Sequence, residues 1–378
     1  MFRILVNCTT LSSTILLGLV ISTPSAAQQP GDVLQAEFSE LAALFNAFDV
    51  TQVAMYEKLV KIGDSPDSQA ARDQLSQTLQ MQAEMGHTTI MPGMPLDPFG
   101  EFESDAMEEL IGLVQSQHGL SAARAAFSNS APLTQNAAAV IQRGREFEAR
   151  LFDIYADTSI SDKHEAIDSA VDDYLRSGRL AVPAQPKNSA LLYADNFASA
   201  FRTGYPELSG LNWTTQWLQF ASMEALMLKG SAAMFDNGVK ETIERFENKL
   251  AGMYGIMVSK IPTEMPTAPA IAPLLYNKHP EAAVIIDNLN MLEAVIANIL
   301  VHPGVQDRSA AIDAAVEEFT NRESELVTHL DYLLWSLRGG LYDQGGPALR
   351  EITSSHRNRS RADMGMRHSP FLPPNMGR

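Results

Sequence analysis

Residues 137–175 and 282–320 carry one pattern twice, at a constant offset of 145 positions and without a gap. Ala137, Glu148, Ile154, Asp162, Ile167, Asp168 and Val171 meet the same residue type at Ala282, Glu293, Ile299, Asp307, Ile312, Asp313 and Val316. The exchanges between the copies are conservative, as in Phe147 for Leu292, Lys163 for Arg308 and Tyr174 for Phe319. Each copy reads as helix, short break, helix. A helix pair cannot bury its apolar stripe alone, so the copies must pack on each other or on further helices. The expected fold is therefore all-α: a multi-helix bundle containing two related helical hairpins. No stretch alternates in the two-residue period of a strand.

The first 27 residues read as a signal peptide. Arg3 gives the positive start, and the apolar run Ile15–Ile21 is too short to span a bilayer. Ser25-Ala26-Ala27 then supplies the small-x-small cleavage pattern. Cys8, the only cysteine, lies inside that leader, so the mature chain has no thiol. It can form no disulfide, no thiolate metal site and no cysteine nucleophile. A cysteine-free exported chain suits a bacterial periplasm, or secretion from a bacterium, with no stable membrane anchor after cleavage.

Charge is spread unevenly. Residues 28–349 hold 21 basic and 43 acidic side chains, a net −22, whereas the last stretch from Arg350 carries six arginines against Glu351 and Asp363. An acidic body repels phosphate backbones, which argues against a nucleic-acid partner. The body is expected over 28–353 and a flexible, solubilising basic tail over 354–378, with a protein partner as the compatible class of interaction.

Along the body, apolar spacing predicts a helix over 35–62 with a break at Asp49-Val50-Thr51. Ser65-Pro66 opens a second helix to about Met85, and Ser104 caps a third after a proline-rich loop. Thr134 caps the first hairpin. Residues 182–186 read as a linker, and Asn188 as the start of a helix to Arg202. Asn212 caps an aromatic helix with Trp213, Trp217 and Phe220 on one face, expected in the core. Asn237-Gly238 reads as a turn before a helix over 240–260. Four prolines between Pro262 and Pro273 predict no regular element and a sub-domain boundary at 261–273. The second hairpin breaks at His302-Pro303-Gly304, and its last helix is expected to run from Asp307 to Leu337.

The candidate chemistry is sparse. Met85, His87, Met91 and Met94, with Met81 just before them, form a cluster of soft neutral donors suited to Cu(I) in a chain without thiols. The competing reading is methionine as a core filler. A di-iron bundle site would need two Glu-x-x-His pairs, and only Glu84–His87 has that spacing. His164-Glu165 lacks the second histidine of a His-Glu-x-x-His zinc motif. Glu148 and Glu293 recur in apolar surroundings and are candidates for a duplicated buried or semi-buried carboxylate, with a surface position as the favoured reading for glutamates. Asp168 and Asp313 fall on solvent-facing positions, with a cation site built from both copies as the alternative. The expectation is an exported binding or scaffold protein with no cofactor. The alternatives are copper handling through Met85, His87, Met91 and Met94, or an enzyme whose site forms only in three dimensions.

Overall fold

The structure is a computed structural model that describes residues 29–84, 97–116, 118–228, 232–253 and 265–337. The expected leader (1–27) and basic tail (354–378) lie outside the described residues, as do Met85, His87, Met91 and Met94.

In chain order the helices are α1 (Asp32–Glu37), α2 (Ser39–Gly63), α3 (Gln69–Glu84), α4 (Gly100–Val114), α5 (Leu120–Ala126), α6 (Gln135–Ala156), α7 (Lys163–Leu175) and α8 (Ala190–Tyr193). They continue as α9 (Ala200–Gly204), α10 (Pro206–Leu226), α11 (Ala232–Met253), α12 (Ala268–Ile271), α13 (Pro273–Lys278), α14 (Pro280–Val301), α15 (Arg308–Thr320) and α16 (His329–Leu337). Among the described residues there is no strand, only an isolated antiparallel bridge between Lys187 and Leu326. The fold is an all-α multi-helix bundle.

The hairpins α6–α7 and α14–α15 have matching spans: each helix of the first begins and ends 145 residues before its counterpart. The outer helix start is set the same way in both. Asp162 accepts from the Glu165 amide at 3.0 Å and Asp307 from the Ala310 amide at 3.0 Å, so each outer helix carries an aspartate cap. Ile167, Val171 and Tyr174 are buried beneath the first, and Ile312, Val316 and Phe319 beneath the second. The hairpins also touch, since α6 packs on α14 and on α15.

Corresponding positions meet at the α6–α14 crossing. A Cβ built on Gly144 would lie 2.5 Å from Leu289 Cδ1, and the two residues are 145 apart in sequence. Glycine is needed there because the two helices approach at that point. Gly144→Ala gains about 1 kcal/mol in helix propensity but overpacks the crossing by about 1–3 kcal/mol. The substitution is expected to destabilise the wild-type chain and to stabilise a Leu289→Ala background. A double-mutant cycle by denaturant unfolding measures this, and equal effects in both backgrounds would refute the contact.

α14 is the axis of the molecule. From Ala282 to Val301 every residue except Ala294 is buried. It is the one helix among the described residues long and apolar enough to cross a membrane, yet 94% of that window is buried inside the protein. α2, α6, α7, α9, α12, α13 and α15 pack around it. An apolar helix surrounded in this way holds its neighbours through its few polar side chains. Asn288 accepts from the Lys187 amide at 3.0 Å and donates to the carbonyls of Pro183 and Gln185, both at 2.9 Å. Asn298 accepts from the Phe201 amide at 2.9 Å, and Asp287 accepts from the Ala268 amide and the Tyr332 hydroxyl.

Other helices use the same device. Helices α1, α9, α10, α12 and α13 have no side-chain cap from their own N-cap residue. Their free amides are met from elsewhere: Asp153 serves Gly31 and Leu34, Glu103 serves Leu208, and Glu224 serves Leu274 and Leu275, at 2.7–3.2 Å. Unsatisfied first-turn amides and the positive helix end both favour a carboxylate there.

Several local expectations are corrected. α2 runs unbroken through Asp49-Val50-Thr51, because Asp49 turns inward to an arginine of α6 and does not stop the helix. Ser104 lies inside α4, which starts at Gly100, and Asn212 lies inside α10, which starts with Pro206 in its first turn. Asn237 and Gly238 are helical. Gly238 faces α10 at ordinary packing distance: an added Cβ would sit 3.8 Å from Ala225 Cβ. The predicted helix over 188–202 is split into α8 and α9, with Ser199 at φ 65° between them. The stretch read as a linker is core: Ala181, Val182, Pro183, Pro186 and Lys187 are buried. The proline-rich stretch holds α12 and is buried from Met265 to Ala272. The last long helix stops at Thr320, and the chain turns back so that the Val327 amide donates to Pro186 O and the Asn188 amide to Glu325 O. Trp213, Trp217 and Phe220 are core residues, as expected.

Candidate functional site

Two buried carboxylates, Glu148 and Glu293, and a half-buried one, Asp49, converge on one guanidinium where α2, α6, α10 and α14 meet. Arg145 Nη1 donates to both carboxylate oxygens of Glu148 at 3.1 Å, and Nη2 to Glu293 at 2.9 Å and to Gln52 Oε1 at 2.8 Å. Arg145 Nε lies 3.2 Å from Asp49 Oδ1, in ion-pair but not hydrogen-bond geometry. Gln219 of α10 donates to Glu148 at 3.2 Å, and Gln52 donates to the Tyr56 hydroxyl at 2.9 Å. The side chains of Glu293, Glu148, Arg145 and Asp49 are 2%, 5%, 10% and 17% exposed.

The duplicated carboxylates Glu148 and Glu293 thus meet at a single arginine. The position of Arg145 is held by Asn290 in the second hairpin, so only one cation serves both copies. With every group ionised the cluster carries two excess negative charges. Burial pushes Asp49 and Glu148 up to about 7 against the opposing pull of Arg145. Burial raises Glu293 as well, with Arg145 again opposing. Burial also works against the charge on Arg145, but Glu293, Glu148 and Asp49 outweigh it and hold the guanidinium protonated.

The cluster forms one wall of a half-open cavity of about 70 Å³, with Pro30, Leu34, Phe45 and Phe152 among its apolar lining and Asp49, Arg145 and Glu148 among its polar lining. That space has room for roughly five waters and is well below the roughly 300–1,000 Å³ of a site for a drug-sized ligand. Chemically it offers negative charge that grows as Asp49 and Glu148 ionise.

A second cluster joins the two hairpins where the first turns of α7 meet the N-terminal end of α14. His164 and Asp168 stand one turn apart on α7, and His279 is the N-cap residue of α14. His164 Nδ1 is 3.4 Å from His279 Nδ1, and His164 Nε2 is 3.7 Å from Asp168 Oδ2. One ligand atom from each of the three residues lies within 4.8 Å of the others. The histidine that His164-Glu165 lacks in local sequence is thus brought to it from 115 residues away.

Of the residues singled out from sequence, Met81 is 41% exposed on α3 while Leu75 and Leu79 are buried, so it does not extend that core face. Asp168 and Asp313 are both exposed and do not meet each other: Asp313 takes a hydrogen bond from Thr134, and Asp168 faces the two histidines. Sequence reasoning did not reach Asp49, Arg145 or His279. The one available signal was the unmatched charge at position 145, an arginine within an otherwise apolar helix face shared by the two copies. No family model matches this chain, nor does any curated protein or solved structure.

Proposed function

We propose that this is an exported bacterial protein that acts in the periplasm by binding, and that its site takes a small cationic headgroup. The observation that carries the reading is the excess of negative charge around Arg145 on the wall of a half-open cavity. Holding two buried carboxylates and a half-buried one against one guanidinium leaves charge unmatched, and a bound ammonium would relieve it. The acidic balance of residues 28–349 draws cations toward that opening. The leader-like residues 1–27 and the cysteine-free remainder support export. The most shifted buried carboxylates outside the cluster, Glu103, Glu224 and Asp287, are engaged in capping helix N-termini, which supports a binding role over acid–base turnover.

The test is a thermal-shift and calorimetric titration of residues 28–378 with methylammonium, ethanolamine and putrescine. At least one is expected to raise the Tm at pH 8, with a weaker effect at pH 5.5, where Asp49 and Glu148 hold protons. Saturation at a hundred times Kd corresponds to about 2.7 kcal/mol of stabilisation. Glu148→Gln should weaken the effect. No shift and no heat with any of the three cations would end this reading.

A further inference from the structure

The corner where the hairpins join is closed differently on its two sides. Counting back 145 positions, His279 corresponds to Thr134, and Asp168 corresponds to Asp313. On one side the pair is bonded directly, Thr134 Oγ1 donating to Asp313 Oδ1 at 2.5 Å. On the other side threonine is replaced by His279, a second histidine enters at His164 where the other copy has Ser309, and Asp168 makes no direct bond to His279.

The two imidazoles present Nδ1 to Nδ1 at 3.4 Å. Two nitrogens bound to one tetrahedral zinc at 2.0–2.1 Å stand roughly 3.3 Å apart. His279 is 7% exposed, its backbone set as the N-cap residue of α14, whereas the side chains of His164 and Asp168 are 68% and 62% exposed. A buried ligand with two exposed ones one helical turn apart is a site that an ion can complete. Two imidazoles and a carboxylate, with no sulfur, match a borderline divalent ion such as Zn(II).

We infer that His164, Asp168 and His279 bind one Zn(II)-class divalent ion, with solvent in the fourth position, and that the ion pins α7 to the start of α14. The site is separate from the Arg145 cavity, and neither proposal depends on the other.

Metal-stripped full mature chain is titrated with Zn(II) against a chromophoric chelator, and with Co(II) for its visible absorption. One equivalent is expected per chain, together with a Co(II) spectrum of four-coordinate form. His279→Ala and His164→Ala should each weaken Zn(II) at least about 100-fold, since even changes outside the ligand set weaken metal sites 10–100-fold. Asp168→Asn should weaken it about tenfold or more. His302→Ala and His329→Ala should leave the affinity unchanged. Zn(II) should raise the Tm of the wild-type chain but not that of His164→Ala, an exposed change that leaves the core intact. Absence of stoichiometric binding would overturn the proposal, as would binding that persists unchanged in the His164 and Asp168 variants.

Discussion

Replacing Arg145 by methionine is expected to destabilise the protein by about 3–5 kcal/mol at pH 7.5. Methionine keeps much of the volume, so the loss is electrostatic: Asp49, Glu148 and Glu293 would face one another with no counter-charge between α2, α6 and α14. The sign of the pH effect separates this from a packing defect. Carboxyl groups whose folded pKa is raised hold protons that the unfolded chain has already released. Asp49 and Glu148 at about 7, with Glu224 and Asp287 also pushed up to about 7 by burial, therefore make wild-type stability fall as pH rises from about 4 to 7. His279, pushed down to about 4 by burial and by His164, acts in the opposite sense up to its unfolded pKa near 6.5, but it is outnumbered. In Arg145→Met the pull toward the ionised form is gone, so the variant should lose least near pH 5, where the cluster is neutral, and most above pH 7. Adding Glu148→Gln should recover part of the loss. Urea unfolding at pH 5 and pH 7.5 measures both, and a pH-independent difference would refute the charge account.

Lys187→Met is expected to cost about 3 kcal/mol, since hydrogen bonds made by a charged group contribute about 1.5–3 kcal/mol each and are not additive. The Lys187 side chain is fully buried, and its ammonium donates to the carbonyls of Glu318, Asn321 and Ser324 at 2.6–2.7 Å. These carbonyls gather at the C-terminal end of α15, where a cation is favoured by the helix dipole and where no amide is left to meet them. Without the ammonium, the turn from α15 into residues 321–328 loses what bends it back toward Pro186. Lys187→Arg should restore less than half of the stability, because a planar guanidinium cannot direct three donors at convergent carbonyls. A loss below about 1 kcal/mol for the methionine variant would show that the carbonyls find water instead.

What could be read from the residues alone was whatever the chain settles within one or two helical turns. The helix–break–helix pattern, the burial of Trp217 and Phe220, the Thr134 cap and the break at His302-Pro303-Gly304 all follow from spacing and local capping. Local reasoning failed where a residue's role is set by a partner far along the chain. Asp49 and Asn237 look like helix breakers because their usual competition with the backbone is local, but both sit inside continuous helices. Residues 182–186 look like a linker until Asn288 binds the backbone of Pro183, Gln185 and Lys187 from across the core.

The candidate sites show the same division. Recurrence of Glu148 and Glu293 was visible in the sequence, but a surface position was the favoured reading for glutamates, and both are buried. Their meeting at one arginine, with Asp49 as a third carboxylate, depends on how four helices cross. His164 had no visible partner because His279 lies 115 residues away. The sequence determined that this chain is an all-α bundle, because periodicity and caps act over a few residues. The tertiary structure alone decided which buried charges share a counter-ion and which side chains could share a metal, because electrostatic and coordinative partners are chosen by distance in space.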